Sequence, residues 1–415
     1  MALGKFIQKL FRFKGLLVKG VEFRDHGKEL VLSVWPHKNG LRCPACGRRG
    51  TLVRQRDVAR EWRDVPVFRT VVFLVYAPRE IACPTHGRIQ EEIPWARANA
   101  RVTYRLEHAI LSYSQSMTQE AASRLLGLAP STFSSILHTT IETLRKDHRI
   151  RGLRVIGIDE ISYHKRHKYA TIVYDLERSR VVWVGQGKGR ETIDRFFNEV
   201  LSHRQKANIT AAACDMSEAY IQAIRHHCPN ATLVLDKFHL VQNLNKALDE
   251  VRKEEWRELT GEEKKILKGL RWMLFRHSST RSRADAQTLR RLKRSNNRIY
   301  RAWVLKDEFE AFWGYRSVGW ARRFLTQWIA RVMRSRLEPL KKFARTLRRY
   351  FEDVVAHIDT GLTNAVAEGI NRVIKIVKNR ASGFFNLESF ADLIFLVVGD
   401  LDLPAQIPAR FRITA

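Results

Sequence analysis

The run Val155-Ile156-Gly157-Ile158-Asp159-Glu160 constrains the fold of this chain more than any other stretch. β-Branched apolar residues at that density form a buried strand, and this one stops on a carboxylate. Apolar runs of strand length follow at Tyr169 to Tyr174 and Val181 to Val184, the first reached through the basic loop His164-Lys165-Arg166-His167-Lys168. A helical stretch from about Glu191 to His203 leads to a further short strand, Ile209 to Cys214, which ends on Asp215. Far downstream, Glu368 sits in Asn364-Ala365-Val366-Ala367-Glu368-Gly369-Ile370-Asn371, which reads as the opening turns of a helix. Two strand-end aspartates and a helix-borne glutamate can converge above one sheet. Three hard oxygen ligands at one point suit a pair of Mg²⁺ or Mn²⁺ ions and in-line phosphoryl transfer. Taken singly, each acid is equally a strand-end or helix-cap residue on a wet surface.

The surrounding segments add detail. "VIGIDEISYHKRHKYATIVYDLERSRVVWVGQGKGRETIDRFF", "CDMSEAYIQAIRHH" and "TNAVAEGINRVIKIVKNRASGFF" resemble the catalytic blocks of insertion-sequence transposases of the ISL-three family, over about residues 41 to 400. The resemblance implies a DDE-superfamily enzyme with an RNase H-like core. It implies Asp159, Asp215 and Glu368 as the catalytic acids and as the ligands of two divalent Mg or Mn ions. Its DNA would be double-stranded, the element's terminal inverted repeats and a target, held by a homodimer or larger assembly because two ends must be brought together. A strand at Ala231 to Leu235 closes on Asp236-Lys237-Phe238-His239, and the same D-x-x-H recurs in the family after the second catalytic aspartate. Asp236 and His239 are therefore candidates for steadying the metal-bound acids. His239 is equally a contact to DNA or an ordinary core histidine.

Near the start, a short amphipathic helix precedes two strand-like runs, Gly15 to Arg24 and Lys28 to Trp35, joined by the turn Asp25-His26-Gly27. Cys43-Pro44-Ala45-Cys46 and Cys83-Pro84-Thr85-His86 then supply C-x-x-C and C-x-x-H knuckles. Their four soft or borderline ligands suit one structural, tetrahedral Zn²⁺ with no open position. The family carries a zinc-binding module at this place. Residues 101–150 turn helical, and "MTQEAASRLLGLAPSTFSSILHTTI" has the layout of a helix-turn-helix. Thr118 caps the first helix, Ala121, Ala122 and Leu125 face inward, Gly127 turns, and the second helix opens near Pro130 or Ser131. Ser131, Thr132, Ser134 and Ser135 would meet phosphates and base edges. Spacing alone fits an ordinary helical hairpin as well; the family's DNA-binding segment lies here.

Charge decides the class of partner. The net charge is +31 over 415 residues, so a polyanion is the expected partner. The charge is uneven: residues 251–350 hold 28 basic and 10 acidic side chains, against 15 and 12 in 151–250. In the first of these stretches the pattern is helical, and six of the ten tryptophans there read as core packing. Arg290, Arg291, Lys293 and Arg294 form part of a phosphate-tracking surface, as do Lys165 and Arg166 in the basic loop. Arg372, Lys375 and Lys378 share one face of the Glu368 helix. No apolar run reaches membrane-spanning length and no signal-peptide core stands near Met1, so a cytoplasmic, nucleoid-associated prokaryotic protein is expected.

The expected architecture is multidomain α+β. A β-rich zinc module (1–98) and a helix-turn-helix segment (99–150) precede an α/β RNase H-like core in two parts (151–250 and 346–403). A basic all-helical insertion (251–345) interrupts that core, and a tail (404–415) follows. The expected activity is cutting at the element's ends and joining them to target DNA by metal-dependent phosphoryl transfer. Two other readings stay open: a DNA-binding regulator derived from a transposase, and an RNase H-like nuclease selective for nucleic-acid structure.

Overall fold

The computed structural model describes residues 4, 6–7, 16–36, 41–147, 150–164, 168–258, 264, 269–295, 297–362, 365–381, 384 and 386–403. The expected amphipathic helix near Met1 and the tail fall largely or wholly outside them. The chain forms two compact units, 1–149 with 374–415, and 150–373.

In the first unit, β1 (Leu16–Arg24), β2 (Glu29–Pro36), β4 (Arg60–Val67) and β5 (Thr70–Tyr76) make a sheet of order β1-β2-β5-β4. β3 (Thr51–Gln55), β6 (Arg79–Cys83) and β7 (Gly87–Gln90) make a second, antiparallel sheet. Period-two alternation turns Leu30, Leu32 and Val34 of β2 and Val72, Leu74 and Tyr76 of β5 onto Trp62 and Trp95. Polar groups are buried beside them, Glu91 among them: it accepts from the Tyr76 hydroxyl at 2.5 Å and from the Arg79 guanidinium at 2.6 Å. Such a pair is tolerable only because its lone pairs are filled.

Helices α1 (Tyr104–Ser116), α2 (Gln119–Leu125) and α3 (Pro130–Asp147) follow. The Thr118 hydroxyl accepts from the Ala121 amide at 3.1 Å, capping α2. Gly127 turns the chain at φ +59°, and Pro130 opens α3, where a missing N–H costs nothing. One inward position differs from expectation. Leu125 is 60% exposed, whereas Leu126 is 2% exposed and buried with Ala122, Leu128, Phe133 and Leu137. The helix ends at Leu125, so the turn itself supplies the next apolar contacts. The closing helix Leu387–Val398 also differs: expected in the last part of the core, it packs on α1 and α3. Phe390, Leu393 and Ile394 are buried, and His138 meets Asp392 at 2.9 Å.

In the second unit, β8 (Val155–His164), β9 (Lys168–Asp175) and β10 (Arg180–Gln186) form an antiparallel meander. α4 (Arg190–Arg195), a π-helical turn Phe196–Val200 and α5 (His203–Ala207) follow. The single helix expected from Glu191 to His203 is broken there because Ser202 and Gln205 form a capping box that starts a new one. β11 (Ala211–Cys214), α6 (Glu218–His227) and β12 (Thr232–Leu235) complete a sheet of order β10-β9-β8-β11-β12, in which β11 runs parallel to both β8 and β12.

Then come α7 (Lys237–Glu258), α8 (Leu270–Phe275), α9 (Arg283–Ser295), α10 (Asn297–Phe309), α11 (Val318–Arg334), α12 (Glu338–Arg349), α13 (Phe351–Thr360) and α14 (Ala365–Arg380). α10 and α12 pack on α7, and α13 packs on β12. One apolar cluster runs from Ile156, Ile158 and Leu235 of the sheet to Trp303, Phe309 and Trp328 of the basic helices. The tryptophans divide: Trp303 and Trp328 are buried, but Trp272 and Trp320 are 67% and 59% exposed, contrary to a core role for all six.

Candidate active site

β8 does not stop at Asp159. Ile161 and Tyr163 continue the alternation, and β9 pairs with it as far as His164↔Lys168. What stops is the parallel neighbour. β11 pairs with β8 through Cys214↔Ile158, and β12 pairs with β11 through Leu235↔Cys214. Asp159, Asp215 and Asp236 are therefore each the next residue after the end of the parallel pairing on three adjacent strands. With strands about 4.8 Å apart, register alone sets the three acids side by side along the sheet; among the described residues, though, only Cys43, Cys46, Cys83 and His86 bring three or more ligand atoms to one point.

Burial then sets their chemistry. Desolvation raises the Asp159 carboxyl above its ordinary range; the Glu160 amide, His239 and Asn371 oppose this, and the charge of Asp215 adds to it. Desolvation likewise raises Asp215, against the Ser217 amide (3.0 Å to Oδ1) and His239. Asp236 accepts from the Phe238 amide at 2.9 Å, and His239 Nε2 lies 3.7 Å from its other oxygen. The His239 imidazole thus sits beside Asp236, and its charge favours the ionised forms of Asp159 and Asp215. Glu160 pairs with Thr171 and points to the face opposite Asp159, yet it still feels Asp215 and Asp159. The Asp159 and Asp215 carboxylates are both half-buried, and burial raises each of them.

Glu368 lies in the first turns of α14 and is exposed. Three residues later on the same helix, Asn371 donates from Nδ2 to Asp159 Oδ2 at 2.7 Å and accepts from the Tyr174 hydroxyl at 2.5 Å. The sequence pattern singled out neither partner. Lys165 and Arg166 lie outside the described residues.

In the first unit the four knuckle residues converge: one ligand atom from each of Cys43, Cys46, Cys83 and His86 lies within 4.8 Å of the others. Cys46 Sγ–Cys83 Sγ is 3.6 Å, and His86 Nδ1 is 3.6 Å from Cys43 Sγ and 3.8 Å from Cys83 Sγ. Around a tetrahedral Zn²⁺ with bonds of ~2.3 Å to sulfur and ~2.05 Å to nitrogen, such edges come to about 3.6–3.8 Å. The quartet fits.

A family profile described as "Transposase" matches residues 156–394, and one described as "Helix-turn-helix domain of transposase family ISL3" matches residues 91–140. The chain belongs to transposase family ISL3. The transposase for insertion sequence element IS1001 of Bordetella parapertussis is 31% identical over 93% of this chain and 96% of its own. The transposase for IS1557 of Mycobacterium tuberculosis is 26% identical over 93% of each. Among solved structures, the Drosophila P element transposase strand transfer complex aligns with 72% of this chain and 92% of its own at 10% identity; the TM-score of 0.37 is too low to carry an argument.

The transposase binds DNA through its helix-turn-helix, α2 and α3. Ser131, Thr132 and Ser135 are exposed on α3, but the Ser134 hydroxyl donates to Gln119 Oε1 at 3.1 Å and so belongs to the α2–α3 contact. Arg63 donates to the carbonyls of Leu126 and Gly127, bracing the turn from the neighbouring sheet, which helical spacing could not reveal. Arg290, Arg291, Lys293 and Arg294 are all exposed on α9, whose Leu289 and Leu292 are buried. Arg372 and Lys375 of α14 are exposed, and Lys378 is half-buried. Among the described residues no helix is long and apolar enough to cross a membrane.

Proposed function

We propose that this transposase binds the terminal inverted repeats of its element, cuts the DNA there and joins the freed 3′ hydroxyls to target DNA. The sheet order supports an RNase H-like core: an antiparallel meander followed by two strands parallel to its first. The alignment of Asp159 and Asp215 on adjacent parallel strands carries the catalytic reading. Asp159 and Asp215, with Glu368 from α14, would hold two Mg²⁺ or Mn²⁺ ions. Such ions activate the attacking oxygen and stabilise the leaving one. The chain itself supplies orientation. The Glu160 amide fixes one oxygen of Asp159 at 2.7 Å, and the Ser217 amide fixes Asp215. Asp236 and His239 steady this group from β12 and the start of α7. Cys43, Cys46, Cys83 and His86, whose ligand atoms lie within 4.8 Å of one another, would hold one structural Zn²⁺. The DNA-bound form is at least a homodimer.

Strand cleavage of a duplex carrying the element's own end, with and without Mg²⁺, tests this reading. Metal-dependent cuts at the repeat boundary support it. Specific binding without cleavage points to a regulator, and cleavage without end preference to a structure-selective nuclease.

Affinity and specificity should separate along the chain. Removing the charges of Arg290, Arg291, Lys293 and Arg294 should weaken binding to the repeat and to scrambled duplex alike. It should also flatten the salt dependence by about 0.9 unit of slope for each phosphate no longer neutralised. Alanine at Ser131, Thr132 and Ser135 should reduce the preference for the repeat instead. Salt titrations on both duplexes check this. Loss of only the specific component in the α9 variant would refute it.

A further inference from the structure

We infer that Asn371 is the positioning residue for Asp159 and that Tyr174 fixes Asn371 in turn, an inference that rests on reading Asp159 as a catalytic acid. Tyr174 is fully buried and Asn371 is 8% exposed. An ionised carboxylate has no proton to give, so the amide must turn its NH₂ toward Asp159. Its Oδ1 is left to accept from the phenol. The result is a one-way chain of donors: Tyr174 O–H to Asn371 Oδ1 at 2.5 Å, then Asn371 Nδ2–H to Asp159 Oδ2 at 2.7 Å. The Glu160 amide holds the other oxygen at 2.7 Å. Each oxygen of Asp159 therefore spends one lone pair on a fixed donor and keeps another for an ion.

The register explains why Tyr174 can reach. It pairs with Gly157, two residues before Asp159, so Tyr174 and Asp159 project from the same face of the sheet. Asn371 comes to that face on α14, one turn after Glu368. The same bond that orients Asp159 therefore ties the helix of the third acid to the strand of the first. Neither polar side chain can leave without loss: alanine at 371 strands a buried hydroxyl and frees Asp159 to rotate.

The test compares Asn371→Ala, Tyr174→Phe and Asp159→Asn in the full chain. Mn²⁺ binding is followed by electron paramagnetic resonance without DNA, affinity is measured on the element's end, and cleavage is followed across a Mn²⁺ titration. Asn371→Ala is expected to raise the Mn²⁺ needed for half-saturation and for half-maximal cleavage by about 10–100-fold. DNA affinity should be unchanged and cleavage restored at high Mn²⁺. Tyr174→Phe should shift both in the same direction by roughly 3–10-fold. Unchanged Mn²⁺ binding in Asn371→Ala, even with slower cleavage, marks a merely structural role and overturns the inference. If Asn371→Ala fails to fold, Tyr174→Phe decides alone, and Mn²⁺ binding like the parent overturns it. Asp159→Asn keeps the two ideas apart. If it cleaves like the parent, the catalytic reading falls and the inference with it. If it is inert while the other two behave like the parent, only the inference falls.

Discussion

Asp159→Asn and Asp215→Asn should each lower strand cleavage by about three orders of magnitude or more, with DNA affinity within roughly twofold of the parent. Asparagine keeps the shape but removes the charge that a divalent ion needs, so the loss falls on the transition state rather than on binding. Glu368→Gln should behave in the same way. The choice of control matters. Glu160 lies on the opposite face of β8 but feels the charges of Asp215 and Asp159, so Glu160→Gln would disturb the same field. Glu177 is a better control: it is exposed and paired at 2.8 Å with Arg154. Cleavage by Glu177→Gln should match the parent. Full activity in Asp159→Asn would refute the assignment.

Cys43→Ser or Cys83→Ser should abolish binding of one equivalent of Zn²⁺ per chain and unfold the region around β3, β6 and β7. That sheet has little apolar core: every residue of β3 is exposed, and only Arg79, Ile81 and Cys83 of β6 are buried. Binding free energy in small zinc modules, about 10–16 kcal/mol, is largely folding free energy, so the loss cannot be made up by packing. Metal analysis on protein purified without chelator, with circular dichroism on the variants, checks this. The absence of zinc in the parent would end the idea.

What the sequence made legible was short-range. C-x-x-C and C-x-x-H announce themselves, as do the β-branched runs and the Thr118, Gly127 and Pro130 punctuation of the helix pair. The misses all needed the folded chain. Asn371 lies 212 residues from Asp159 and 197 from Tyr174, and nothing in its neighbourhood marks it as a partner of either. Leu387 to Leu401 read as a closing apolar helix but not as the cover of α1 and α3, which Leu387–Val398 forms. A fragment ending at residue 150 would lack that cover, which is why specificity is best tested in the full chain. The Trp272 and Trp320 side chains could not be told from Trp328 by composition, because amphipathic helices dense in arginine leave the phase of each aromatic ambiguous.

The alignment of Asp159 and Asp215 has a consequence for how such a gene can drift. Their proximity is written in backbone pairing, so apolar exchanges that keep β8 and β11 intact preserve it, except at Gly157, where even a Cβ would press on the Leu176 side chain at 2.9 Å. Length has no such latitude. Losing or gaining one residue between Val155 and Ile158 would turn Asp159 to the other side of the sheet, away from Asn371 and Tyr174. In this stretch the indel, rather than the missense change, should be the lesion that turns an active element into a relic.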